Sequence, residues 1–162
     1  MRKSIVVVGS LNLDLVAGVN RLSFVGETII GRDFNTYCGG KGAKQAVALA
    51  RLGASVNMIG KLGSDGFATQ LREGLEKAGV DTSCVGKVRG SSGTALITTP
   101  ADGDNTIVVI PGANGSLLPE ALDRYRCLRA GAAANAVQDG IQAPFDLAEL
   151  PVFIWRESSH QS

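Results

Sequence analysis

Cys38-Gly39-Gly40-Lys41-Gly42-Ala43-Lys44-Gln45 sets three glycines and a lysine directly before a run with helical spacing. Behind them Ala43, Ala46, Val47 and Ala50 fall at i, i+3, i+4 and i+7, one apolar face turned to a core, and Gly53 follows as a stop. The glycines therefore stand at a helix N-terminus, where the first N–H groups lack intrahelical partners and a missing Cβ lets another molecule approach the backbone. Such a terminus suits an oxygen-rich ligand. The same residues also read as a Gly-rich strand-to-helix turn with a solvated lysine. A phosphate-cradling P-loop is excluded, because Lys41 is followed by Gly42 and not by Ser or Thr.

Upstream, Ile5 to Val8 is a continuous β-branched run, the pattern of a central strand buried on both faces of a parallel sheet. It leads into Gly9-Ser10-Leu11-Asn12-Leu13-Asp14, which has no second glycine at the spacing a dinucleotide fold requires. Asn12 and Asp14 are two residues apart and share one side of an extended chain. A carboxylate accepts hydrogen bonds from hydroxyls and an amide both donates and accepts, so the pair suits neighbouring hydroxyls of a sugar. An Asx-type turn, with both side chains bonded to their own backbone, is the alternative.

Taken in order, Val6 to Asp14, Val25-Gly26-Glu27-Thr28, Gly39-Gly40-Lys41-Gly42-Ala43, Leu62-Gly63-Ser64-Asp65-Gly66-Phe67, Gly93-Thr94-Ala95-Leu96-Ile97 and Ile110-Pro111-Gly112-Ala113-Asn114 form a series. The series resembles the N-terminal half of the ribokinase family, within the ribokinase-like (PfkB) carbohydrate kinases, over roughly the first 125 residues. The resemblance implies an α/β layered fold, with a mainly parallel central sheet flanked by helices and a small β-sheet lid, incomplete in this chain. It implies ATP-dependent phosphorylation of D-ribose to D-ribose 5-phosphate, with MgATP and a potassium ion as cofactors of the full-length family. By the same resemblance the substrate-binding residues are Asn12, Asp14, Gly39, Gly40 and Lys41, and a homodimer forms through the lid. One position departs from the pattern: Lys44 stands where the family has asparagine, and a cation donates but does not accept.

The rest of the chain fits this frame as far as residue 130. Ser55 to Ile59 reads as a second buried strand, and Gly66 to Ala78 as a helix capped by Asp65 and ended by Gly79. Residues 27–37, 94–99 and 106–110 are β-forming around the turn-like Ala101 to Asn105 and read as a small antiparallel sheet. Pro119 opens a helix expected to run through Ala130. Residues 1–130 thus form the N-terminal part of the domain. Residues 131–162 read as a divergent, irregular tail: Gly131 to Gly140 lacks the strongly apolar strand expected there, and Phe153-Ile154-Trp155 has no visible partner. A reading-frame change near Leu128 to Ala134 would account for that tail.

Net charge of +1 over 162 residues, 44% of them hydrophobic, gives no basic surface for nucleic acid or an anionic membrane. The N-terminal apolar run is too short for a signal segment, and Cys38, Cys84 and Cys127 have no disulfide or metal spacing, so a cytoplasmic protein with reduced thiols is expected. His160, the single histidine, reads as a tail residue.

The resemblance also implies what to expect of the chemistry. The family's general-base aspartate, its nucleotide loops and its cation loops belong to segments this chain lacks, so no catalytic residue and no metal ligand is assigned. Phosphoryl transfer rests on positioning and electrostatics, and a chain without that site is expected to be incompetent as a kinase. Three readings follow: the sugar-binding half of a kinase, a non-catalytic sugar-binding or interaction module, and a non-functional product. An unpaired apolar sheet edge is expected in all three.

Overall fold

The computed structural model describes residues 4–138 and 152–155. The strands and helices, in chain order, are β1 (Ile5–Val8), β2 (Asn12–Gly18), β3 (Asp33–Gly39), α1 (Lys41–Arg51), β4 (Val56–Leu62), α2 (Gly66–Lys77), β5 (Val80–Asp81), β6 (Val85–Lys87), β7 (Gly93–Thr99), β8 (Thr106–Ile110), α3 (Pro119–Asp123), α4 (Arg126–Gly131), β9 (Ala134–Gln138) and β10 (Val152–Trp155), with a 3-10 turn at Gly112–Ser116. The central sheet has the order β10-β9-β1-β4-β5, with β6 also on β4. Its pairings are parallel. The second sheet has the order β3-β2-β7-β8.

β1 lies mid-sheet because both of its faces are apolar. Val6, Val7 and Val8 are all 0% exposed, and the pleat sends alternate residues to opposite sides. Val7 joins Leu11, Leu13, Met58 and the inner faces of α1 and α2, while Val6 and Val8 join Ile59, Leu117, Leu122 and Val137 on the other side. α1 buries Ala43 and Ala46 as its spacing predicts, with Val47 and Ala50 partly buried behind them. It stops at Gly53, whose φ of 87° continues no helix.

The structure chooses between the alternatives for Asn12 to Gly18 and departs from the sequence reading elsewhere. Asn12 to Gly18 is the extended chain of the two alternatives, not the turn: a strand inside the second sheet, paired to β3 on one side and to β7 on the other. That sheet is mixed and not antiparallel: β2 runs antiparallel to β3 but parallel to β7, because the chain from β3 to β6 lies between β2 and β7 in sequence and makes a crossover connection possible. Its β3 strand begins at Asp33, not in the upstream 27–32 stretch. The helix expected from Pro119 to Ala130 divides into α3 and α4.

A further difference is in the tail. Residues 134–138 form a strand despite their alanines, because Ile5 to Val8 offers a parallel partner from Ala134 to Val137. Phe153-Ile154-Trp155 also has a partner, since β10 pairs with β9. Residues 139–151 and 156–162, His160 among them, lie outside the described residues. Among the described residues no helix is long and apolar enough to cross a membrane.

Asp65 caps α2 as expected and also joins the two sheets. Its Oδ1 accepts from the Ala68 amide (3.1 Å) and the Ser92 hydroxyl (2.7 Å), and Oδ2 accepts from the Ser92 amide (2.7 Å). Desolvation opposes ionisation, yet the bonds from Ser92 and Ala68 prevail and hold the carboxyl below its ordinary range. A folded-state pKa below the unfolded one stabilises above the unfolded value and loses that contribution as pH falls through the folded value. Asp65→Ala is therefore expected to cost about 1 to 3 kcal/mol at neutral pH. In urea unfolding the gap to wild type narrows as pH drops below the carboxylate range; a gap constant with pH would remove the charge from this account.

Candidate functional site

The site forms where the two sheets meet. β1 leaves the central sheet through Gly9-Ser10-Leu11 and becomes β2, while β3 returns through Gly40 into α1. These backbones run close together. The Ala43 amide donates to the Ser10 carbonyl at 3.1 Å, and a Cβ on Gly42 would stand 2.6 Å from the Gly9 Cα. Gly40 takes φ 92° and is the N-cap of α1, a conformation that side chains rarely adopt.

Asp14 and Asn12 project from one face of β2, and glycines lie beside both. A Cβ on Gly39 would meet both Asp14 carboxylate oxygens at 2.3 Å, and a Cβ on Gly93 would meet the Asn12 Oδ1 at 2.3 Å. Asp14 is 8% exposed, and its Oδ2 lies 3.2 Å from the Lys44 ammonium. Asn12 is set by Asn114: its Oδ1 accepts from Asn114 Nδ2 at 2.8 Å. Asn114 in turn clasps Leu11, with Oδ1 accepting from the Leu11 amide (2.9 Å) and Nδ2 donating to the Leu11 carbonyl (3.2 Å). An amide and a carboxylate are thus fixed side by side above bare backbone.

Of the residues expected at the site, Asn12, Asp14, Gly39 and Gly40 come together. Lys41 opens α1 and is exposed. The terminus is less bare than a free helix end, since the Ala43 amide is taken by the Ser10 carbonyl. The cation that reaches Asp14 is Lys44, one turn further along. Asn114 and Gly93 also belong to the site, although neither was assigned to it from sequence. Both lie inside the motif series, but their contacts span about a hundred residues, and only the fold supplies them.

Beside the site, a cavity of about 300 Å³ opens between α1 and α2. It is lined mainly by apolar residues, including Leu11, Val47, Leu71 and Leu75, with Lys44 and Arg51 at its border. Cys38 also borders it, its thiol pushed up by burial first and by the Asp14 charge second, against an opposing effect of Lys77. A thiol so held carries little thiolate at neutral pH and is a poor nucleophile. Among the described residues no group of three or more His, Cys, Asp or Glu stands where it could hold a metal ion.

The model of the pfkB family carbohydrate kinases matches residues 2–161, beyond the motif series, which ends at Asn114, and beyond the boundary expected at residue 130. The chain is 47% identical over 118 residues to the ribokinase of Bacillus subtilis (strain 168), a match covering 72% of this chain and 40% of that protein. It is 45% identical over 121 residues to the deoxyribokinase of Salmonella typhi, covering 74% and 40%. Among solved structures, Arabidopsis thaliana ribokinase complexed with ribose and ATP matches with a TM-score of 0.81 and 31% identity, over 95% of this chain and 53% of that one. The chain therefore spans about 40% of the length of these curated relatives. A family match over nearly the whole chain, on an α/β fold with this two-sheet junction, shows that the chain belongs to the pfkB family of carbohydrate kinases.

Proposed function

We propose that this chain is the sugar-binding half of a ribokinase-type enzyme, whose reaction transfers a phosphoryl group from ATP to a hydroxyl of D-ribose, and that by itself it binds sugar without catalysing transfer. The observation that carries the reading is the Asp14 carboxylate, nearly buried and fixed beside Asn12 over the Gly39-Gly40 backbone. Asp14 accepts hydrogen bonds from sugar hydroxyls. Asn12, its oxygen committed to Asn114, presents Nδ2 as a donor. The ligands printed for the Arabidopsis neighbour, ribose and ATP, support the choice of sugar and phosphoryl donor.

Nucleotide, magnesium and a monovalent cation supply the phosphoryl group and its charge compensation in this reading. Among the described residues no group of three or more His, Cys, Asp or Glu stands where it could hold a metal ion. These ligands are assigned to the part of the family fold that this chain does not span.

A second copy is proposed on the small sheet, as the lid-to-lid dimer of this reading. The face that carries Asp14 continues through Ala95 and Val109 in register, and Tyr37, Ile107 and Val109 are 55%, 51% and 56% exposed. Those exposed apolar side chains support the dimer reading, since exposed apolar patches favour protein–protein contact.

Calorimetry of the 162-residue chain with D-ribose and with 2-deoxy-D-ribose tests the sugar assignment. Removing a charged hydrogen-bond partner costs about 1.5 to 3 kcal/mol, so Asp14→Ala is expected to weaken binding roughly 10- to 100-fold. Gly39→Ala, which drives a methyl into the carboxylate, should act in the same direction. Unchanged ribose affinity in a folded Asp14→Ala protein would sink the reading. ATP turnover by the chain would overturn its incompetence. For the dimer, light scattering should show a dimer for wild type and a halved mass for Ile107→Lys, and equal masses would exclude that face.

A further inference from the structure

The Lys44–Asp14 ion pair changes what the site can select. Lys44 is two-thirds exposed at its side chain (64%) while Asp14 is held at 12%, with 3.2 Å between Nζ and Oδ2. A neutral sugar that takes a full set of bonds from Asp14 must compete with this ammonium. An ammonium has three donors and no acceptor, and in this contact one of them serves Asp14. The surroundings reinforce the cation: α1, Lys-Gly-Ala-Lys-Gln-Ala-Val-Ala-Leu-Ala-Arg, contains no acidic residue, and Lys41, Lys44 and Arg51 are all exposed along it. The positive end of its dipole faces the junction.

We infer that Lys44 is a specificity-determining residue that, with Asp14, selects a sugar acid: a polyol chain or ring whose carboxylate meets the Lys44 ammonium while a neighbouring hydroxyl donates to Asp14. The inference rests on the sugar-binding reading above and puts a sugar acid in place of D-ribose as the preferred ligand of that site. Charge complementarity is its basis. A carboxylate ligand gives Lys44 a partner without leaving Asp14 unpaired, because the ammonium bridges the two, and the ligand hydroxyl takes the second carboxylate oxygen. A neutral polyol offers the ammonium only a weaker, uncharged acceptor.

The test compares D-ribonate with ribitol, which has the same carbon chain but no charge, and with D-ribose, by calorimetry on wild type and Lys44→Asn. Wild type is expected to bind D-ribonate at least about tenfold more tightly than ribitol, with a ratio that shrinks as salt rises from about 50 to about 500 mM. Lys44→Asn brings the ratio to about one and leaves D-ribose binding equal or tighter, since Asp14 is released. A wild-type ratio within about twofold, or a ratio that Lys44→Asn does not alter, overturns the inference. If that happens while D-ribose binding is still lost in Asp14→Ala, the sugar-binding reading stands and only the anion preference fails. No heat from any of the three ligands in either folded protein removes both.

Discussion

The junction of the two sheets depends on backbone approaching closer than side chains allow. β1 passes from one sheet into β2 of the other, and β3 returns into α1, within a few residues of the same point. The Gly42 position lies against Gly9, and the Gly39 position against the Asp14 carboxylate. Substituents there would separate the layers or displace the carboxylate. The glycines that let the sheets meet are therefore the ones that frame the site, and fold and site share one constraint.

That sharing explains how a carboxylate can sit 8% exposed on a strand. Desolvating a charge is costly unless hydrogen bonds and an opposite charge compensate. For Asp14 the compensation comes from Lys44, which reaches it from α1 while keeping its own charge largely in water. Asp65 solves the same problem differently, with neutral donors from Ser92 and Ala68. The two acids divide the work: Asp65 is spent entirely within the protein, whereas Asp14 has an exchangeable partner. Exchangeability is what a ligand-binding group needs.

Elements whose signals are local were legible in the sequence. β1 declares itself by apolar residues on both faces, α1 by the Ala43, Ala46, Val47, Ala50 spacing, and α2 by its Asp65 cap and Gly79 stop. β2 was not fully legible, because the spacing set Asn12 and Asp14 on one side of an extended chain but left a turn open until β3 and β7 flank it. β9 was not either: an alanine-rich stretch has weak strand preference, and its register with Ile5 to Val8 decides the matter. At the site, Asn12 and Asp14 could be paired by spacing alone, but Asn114 acts on Leu11 across 103 residues. No periodicity encodes such a contact.

The same distinction bears on what a chain of this span can do. Every group assigned to the sugar site lies between Ser10 and Asn114, and every bond that fixes it is made inside that range. In the proposed reading, the bonds that hold Asn12 and Asp14 in place are thus made among residues of that range. Phosphoryl transfer is different in kind, since it needs a donor, its counter-ions and a base aligned on one hydroxyl. Binding can survive in a part of the fold because its determinants converge on one junction, whereas transfer requires a second set of groups brought to face it. The two capacities are separable for that physical reason.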